Sequence, residues 1–206
     1  MNVTGDLFTT NERRVQIPLH DAEVYYWRQL LPADMAHAVL QQLIAEVPWR
    51  AEAIVLWGKR FPLPRLTAWY GDVGKHYTYS GLQLQALPWT LMLSELKSRV
   101  EAVAGTAFNS VLLNYYRDHR DSVGFHSDDE WELGDRPIIA SVSVGEERTF
   151  ILKHKSRPVK PLRLNLASGS LLLMAGETQR YWKHGINKET EPCGPRVNLT
   201  FRRIRS

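Results

Sequence analysis

The sequence predicts an α+β fold that is mainly β: a double-stranded β-helix (jelly roll) core with N-terminal helices packed on it. Three observations lead there. From residue 108 onward the chain is a series of β-branched or alternating runs, FNSVLLNYY, RPIIASVSVG, ERTFILKH, LRLNLASGSLLLMAG and RVNLTFRRI, separated by turns rich in Gly, Asp and Pro. Ahead of them, two segments carry apolar residues at helical spacing. A His and an Asp follow the first of the late strands, and a double sheet accommodates many short strands with a metal at one mouth.

Residues 1 to about 15 are polar and mixed, a loose lead-in. EVYYWR (23–28) has strand composition. Leu31-Pro32-Ala33-Asp34 opens a helix whose apolar face is Met35, Val39, Leu40, Leu43 and Ile44, and Pro48 ends it. Ile54 to Trp57, the Gly58-Lys59-Arg60 turn and the apolar residues Phe61 and Leu63 suggest a hairpin with an apolar tip. Arg65 to Asp72 and Tyr77 to Gly81 read as two extended pieces joined by a Gly-rich turn. A second helix runs from about Pro88 to Ala104 with Leu91, Leu93, Leu96 and Val100 facing the core, and Gly105 closes it. With no repeat or linker visible, residues 1–206 read as one domain. Within it lie an N-terminal extension and helix (about 1–53), a recognition segment (54–85) and the jelly-roll core (108–204).

Apolar residues make up 44% of the 206 and charged residues 23%, ordinary globular usage. The formal charge of +4 is compatible with a polyanionic partner without requiring one. A lone cysteine, Cys193, excludes an internal disulfide framework and a cysteine-rich zinc site, and a reducing cytoplasm is the expected compartment. No export signal and no run of about 18 apolar residues is present, so no membrane span is expected.

The chemistry centres on NYYRDHRDSVGFHSDDE, residues 114–130. In extended chain, residues two apart point the same way, so His126 and Asp128 can reach one metal ion together. A second imidazole completes the facial triad of non-haem Fe(II) sites. His184, just past a strand and beside a glycine, is the candidate. In Arg196-Val197-Asn198-Leu199-Thr200-Phe201-Arg202 the polar and apolar residues alternate strictly. If both faces are covered, two arginines and an amide aim at one interior, where buried cations need anionic partners such as a small dicarboxylate. Asn114 and Tyr116, also two apart on a strand, can donate to the same molecule. A solvated basic edge is the alternative.

These residues resemble a known family, the AlkB-like Fe(II)/2-oxoglutarate-dependent dioxygenases that repair alkylated bases. The matching elements are NYY (114–116), HSDDE (126–130), PIIASVSVG (137–145), WKH (182–184) and PRVNLTFR (195–202). PRLTAWYGD (64–72) and YTYSG (77–81) look closest to the eukaryotic-type branch that acts on DNA. The resemblance covers about residues 54 to 204. It implies that His126, Asp128 and His184 ligate Fe(II). It implies that Arg202 pairs with the distal carboxylate of 2-oxoglutarate, that Arg196 sits close to Asp128 and the co-substrate, and that Asn114, Tyr116 and Asn198 assist. The implied activity is oxidative demethylation of N-alkylated bases in DNA, of the 1-methyladenine and 3-methylcytosine type. It consumes O2 and 2-oxoglutarate and releases formaldehyde, succinate and CO2.

Such an enzyme takes a single strand or flips the base out and stacks it on aromatic faces. Trp69, Tyr77 and Tyr79 are candidates, and the resemblance puts Tyr77 and Ser80 beside the base. Glu130 is a candidate contact to a cationic lesion. Leu56-Trp57-Gly58 aligns with a short finger that fills the gap in duplex-acting relatives. Arg65, with Lys59, Arg60 and Lys75, is a candidate phosphate contact, and Lys153, Lys155, Arg157 and Lys160 form a second basic run. The expected assembly is a monomer, nucleoid-associated in a bacterium or nuclear in a eukaryote. The same chemistry on RNA or a protein side chain, or a non-catalytic nucleic-acid-binding jelly roll, are the alternatives.

Overall fold

A computed structural model describes residues 14–56, 59–73, 76–79 and 82–205, with side chains for all of these except 54–56, 59–60, 76–79 and 82–85. The elements in chain order are β1 (Val15–Ile17), β2 (Glu23–Trp27), α1 (Ala33–Glu46), β3 (Ala53–Leu56), β4 (Lys59–Pro62), β5 (Leu66–Gly71), β6 (His76–Tyr79) and β7 (Leu82–Gln85). There follow α2 (Leu91–Ala104), β8 (Ser110–Tyr116), β9 (Val123–His126), a 3-10 turn at Trp131–Leu133, β10 (Ile139–Gly145) and β11 (Arg148–His154). The chain ends with β12 (Leu162–Leu166), β13 (Ser170–Ala175), α3 (Thr178–Tyr181), β14 (Trp182–Ile186) and β15 (Arg196–Arg202).

Two antiparallel sheets face each other. The major sheet has seven strands in the order β1-β2-β13-β10-β15-β8-β5, and the minor sheet four, β12-β11-β14-β9. This is the expected jelly roll with helices on one side. Both helices sit where their apolar spacing puts them, except that Leu91, expected on the core face of the second helix, is its first residue and is 78% exposed. α1 is stopped by the extended Val47 ahead of Pro48, and α2 starts at a Thr90 cap whose hydroxyl accepts from Leu93 N–H. Gly105 ends α2 in the left-handed region (φ 67°), which costs glycine nothing sterically.

The period-2 alternation of each major-sheet strand divides its side chains between two cores. Val111, Leu113, Val142, Val197, Leu199 and Phe201 pack under α1 and α2 against Leu40, Leu43, Leu93 and Leu96. Leu112, Tyr116, Ile139, Leu172 and Met174 point the other way, against Phe150, Leu152, Trp182 and Ile186 of the minor sheet. The site lies in this second layer. The sheets also recruit strands from outside residues 108–204: β2 pairs with β13, and β5 pairs with β8. The 54–85 stretch holds two hairpins, β3–β4 and β6–β7, on either side of β5. Strand β7, LQLQ, was not anticipated, and β6 pairs with it.

Candidate metal and co-substrate site

His126 closes β9 and His184 lies in β14, and the two are direct cross-strand partners. Gly185 lets the strands approach, since a Cβ there would sit 2.9 Å from the Val123 carbonyl. The imidazole rings stand 4.5 Å apart, and Phe150 stacks on His184 at 5.2 Å. Asp128, 1% exposed, completes the group: the ligand atoms of His126, Asp128 and His184 all lie within 4.8 Å of one another. His126 Nδ1–H donates to the Gly124 carbonyl at 2.8 Å, which leaves Nε2 as the lone-pair nitrogen.

Asp128 divides its oxygens. Oδ1 accepts from Arg202 Nη2 at 2.6 Å, while the buried Oδ2 has no hydrogen-bond partner and lies 3.7 Å from His184 Nε2. Burial alone raises the Asp128 pKa, but Arg202 and the two histidines, with the Arg202 hydrogen bond, outweigh it and hold the carboxyl at about 2. Burial, reinforced by His126, pushes the His184 pKa down to about 3, against the pull of Asp128. At neutral pH His184 is therefore uncharged, its approach to Asp128 is not an ion pair, and Arg202 is the counter-ion. An anionic oxygen without a hydrogen-bond partner beside two imidazoles is the donor set of a divalent-metal site.

This arrangement has a pH signature. His184 has an unfolded pKa of 6.5, so below pH 6.5 the unfolded chain binds a proton that the fold refuses. Its contribution to stability is whole above 6.5 and is lost as pH falls toward 3, at about 1.4 kcal/mol per pH unit. Asp128 adds a loss between 3.8 and about 2. Metal-free protein is expected to lose about 1 kcal/mol more than a His184→Phe variant between pH 6.5 and 5.5 in denaturant titrations.

The strand β15 carries the second half of the site. Its polar side is buried along its whole length: Arg196 0%, Asn198 7%, Thr200 7% and Arg202 3% exposed. The solvated-edge alternative is thereby excluded. The register sets Arg196 opposite Tyr116, and Asn198 opposite Asn114 on one side and Ser143 on the other. A cavity, part of it open to solvent, runs between the sheets from the His-Asp-His group to Arg196.

The two arginines sit the other way round from the sequence expectation. Arg202, assigned to the distal carboxylate of 2-oxoglutarate, instead holds Asp128. Arg196, expected near Asp128, lies at the other end, where Nη2 donates to Ser143 Oγ at 2.8 Å and Nε and Nη1 lack acceptors. The Tyr116 ring is 5.1 Å from its Cζ. Burial lowers the Arg196 pKa, and Tyr116 partly offsets this. The physical reason is strand geometry: six residues of extended chain separate the guanidinium bases by roughly 20 Å, so only one can reach the metal ligands.

Other candidates are redistributed as well. Arg65 is no phosphate contact: it is buried and donates through Nε to Asn114 Oδ1 at 2.6 Å. That bond leaves Nδ2 as the donor Asn114 can offer the cavity. Both N–H donors of Asn198 are committed, to Ser141 Oγ (2.7 Å) and the Val142 carbonyl (3.0 Å), so this amide braces the sheet interior. Trp69 is 4% exposed in the inter-sheet core beside Leu112, a packing position rather than a stacking surface. Glu130 is half-buried two residues beyond Asp128. Trp57 and Ser80 lie outside the described residues, as do the side chains of Tyr77 and Tyr79.

Sequence reasoning missed Arg148 and Gln179. Arg148, fully buried, ties β11 to two loops by donating to the carbonyls of Asp118, Asp121 and Asn187 and to Glu189, with Tyr116 at its face. Its inward phase with Phe150 and Leu152 was the available signal. Gln179 accepts from Asp128 N–H at 2.9 Å, and nothing in the local pattern marks it.

Comparison with known proteins decides the affiliation. The family description that matches residues 23–202 is the 2OG-Fe(II) oxygenase superfamily. The chain belongs to this superfamily. Among curated relatives, mouse alpha-ketoglutarate-dependent dioxygenase alkB homolog 3 is 44% identical over 175 residues, 81% of this chain and 60% of the relative. Human DNA oxidative demethylase ALKBH2 is 42% identical over 179 residues, 82% of this chain and 69% of the relative. The chain spans about 60% of the length of the alkB homolog 3 proteins that it matches. A solved structure of OsALKBH1 superposes with a TM-score of 0.64 at 16% identity, covering 92% of this chain and all of the other, which establishes the shared fold. The superfamily's metal and co-substrate fit what the site lacks: Asp128 Oδ2 wants a cation, and Arg196 Nε and Nη1 want a carboxylate.

Proposed function

We propose that this chain is an Fe(II)/2-oxoglutarate-dependent dioxygenase that demethylates N-alkylated bases in DNA. The observation that carries the proposal is the division of labour along β15. Arg202 neutralises one oxygen of Asp128, and 0%-exposed Arg196 waits for an anion at the far end of the same cavity. The likeness to proteins named alkB homolog 3 and DNA oxidative demethylase ALKBH2 supports the substrate class.

In this reading His126, Asp128 Oδ2 and His184 would hold the Fe(II) ion. Arg196 would bind the distal carboxylate of 2-oxoglutarate, with Tyr116 beside it and Asn114 Nδ2 available to donate. Iron and co-substrate supply the oxidising chemistry, and the methyl group leaves as formaldehyde. Phe150, Ile186 and Met174 line the cavity with apolar surface and limit water. Glu130, two residues beyond Asp128 in the chain, is assigned the role of favouring the cationic 1-methyladenine and 3-methylcytosine over neutral bases. The resemblance assigns Tyr77 and Ser80 to the base and Trp57 to the gap in the stack, with Tyr79 a further candidate for stacking. A monomer acting in the nucleoid or nucleus is part of the same proposal, and no helix among the described residues is long and apolar enough to cross a membrane.

The minor sheet's outer face fits a nucleic-acid backbone. The basic run 153–160 is not a continuous stripe. Lys155 bonds Asp129 and the Gln179 carbonyl, and Arg157 bonds Asp21. Lys153 instead stands opposite Lys183 across β11 and β14, both exposed, with its Nζ 3.7 Å from the Phe125 ring centroid. Like charges directly opposite destabilise a sheet, and a phosphate backbone relieves them. A Lys153→Glu/Lys183→Glu variant is expected to bind methylated oligonucleotides more weakly regardless of sequence. Its log-log salt slope should be smaller by about 2, read by fluorescence anisotropy. An unchanged slope removes this face from the interface.

The function itself is tested by a panel of single- and double-stranded oligonucleotides and RNAs carrying 1-methyladenine or 3-methylcytosine, read by formaldehyde release. Release from DNA substrates is expected. Release from RNA alone, or from none while 2-oxoglutarate is still consumed, moves the enzyme to another substrate.

A further inference from the structure

The carboxylate at the centre of the site is presented by chain that the sheet does not hold. The β9–β14 ladder ends at the pair His126–His184, and Asp128 lies two residues beyond it. Besides the Arg202–Asp128 bond, three contacts fix the segment. Ser127 Oγ donates to the Trp182 carbonyl at 2.9 Å, Asp128 N–H donates to Gln179 Oε1 at 2.9 Å, and Lys155 Nζ bridges Asp129 Oδ2 (3.1 Å) and the Gln179 carbonyl (2.9 Å). Gln179 is 1% exposed and belongs to α3, whose first residue, Thr178, is itself anchored through its hydroxyl to Ala175 and to the backbone of Glu23.

We infer that Gln179 is a positioning residue for the metal ligand Asp128, with Lys155 clamping the other side of the same short segment. The inference rests on the His126-Asp128-His184 reading of the metal site. The amide has one workable orientation. Its Nε2 faces Met174 Sδ at 3.6 Å, a weak acceptor, and its Oε1 meets the buried Asp128 N–H. Flipped, two donors would confront each other. With the backbone of Asp128 fixed and Oδ1 held by Arg202, Oδ2 is turned toward the histidines without rotamer freedom. Loss of the acceptor frees the Asp128 backbone and loosens the direction of the metal-facing oxygen, while leaving all three ligands in place.

The test uses Mn(II) binding by calorimetry and the visible absorption of Co(II)-loaded protein, in wild type, Gln179→Met, Lys155→Met and Asp128→Ala. Gln179→Met keeps the side chain's length and apolar stem and removes the acceptor. Its Mn(II) affinity is expected to fall about 10- to 100-fold, with a Co(II) spectrum shifted from that of wild type. Lys155→Met, at a position open to solvent, shifts both readouts the same way by less and keeps the test alive if the glutamine variant does not fold. Wild-type Mn(II) affinity and an unshifted Co(II) spectrum in the folded variants overturn the positioning role. Should Asp128→Ala bind Mn(II) as tightly as wild type, the triad reading itself fails, and the inference falls with it.

Discussion

Arg196→Met is expected to raise the 2-oxoglutarate concentration needed for half-maximal turnover by about 30-fold or more, the low end of what removing one partner of a buried charge pair costs. The reasoning is electrostatic. Arg196 is fully buried with no ion-pair partner among the described residues, so in the proposed function the co-substrate brings the missing charge and recovers the cation's desolvation. The same logic gives an unusual second readout: removing a buried, partly satisfied cation should not lower, and is expected to raise, the melting temperature of ligand-free protein, while abolishing the stabilisation that 2-oxoglutarate confers on wild type. Arg202→Met has the opposite profile. It strips Asp128 of its counter-ion, lowers metal-free stability and weakens Mn(II) binding first. If the two variants exchange phenotypes, the assignment of Arg196 to the distal carboxylate is wrong.

Asp128→Ala is expected to abolish Mn(II) binding and to lower metal-free stability by about 3–5 kcal/mol, because it leaves the Arg202 guanidinium buried without its carboxylate. The double variant Asp128→Ala/Arg202→Met separates the two effects. It is expected to recover most of the stability, since replacing a buried pair by apolar groups is often neutral, and none of the metal affinity. Denaturant titration and Mn(II) calorimetry on the three variants measure this. A single variant as stable as wild type would show that Arg202 finds another anion.

Much of this was legible in the chain. His126 and Asp128 are two apart at a strand end, and period-2 geometry brings them together wherever the strand lies. The alternation of β15 likewise foretold one polar and one apolar face, and both proved covered, by helices on one side and the minor sheet on the other. What alternation does not carry is position along the strand relative to another element. It put Arg196 and Arg202 in one interior but left open which end meets Asp128, and that depends on where β9 lands across the gap. Arg65 and Trp69 illustrate a related limit. Arg65 read as a surface cation beside Lys59 and Arg60, and Trp69 equally as core or stacking surface, yet β5 pairs with β8, and both Arg65 just ahead of it and Trp69 within it are buried. Gln179 illustrates a third limit. A four-residue helix after β13 sends it to a backbone N–H 51 positions away, with no periodic signal.

The central claim is that one cavity couples 2-oxoglutarate oxidation to removal of a methyl group from a base. Its most direct measurement loads the protein anaerobically with Fe(II), 2-oxoglutarate and an oligonucleotide carrying 3-methylcytosine or 1-methyladenine, admits air, and counts succinate and formaldehyde in one quenched reaction. The account predicts equal amounts of both, with neither formed by Asp128→Ala. Absence of both products from the iron-loaded wild type, or succinate without formaldehyde across the methylated substrates, would contradict it.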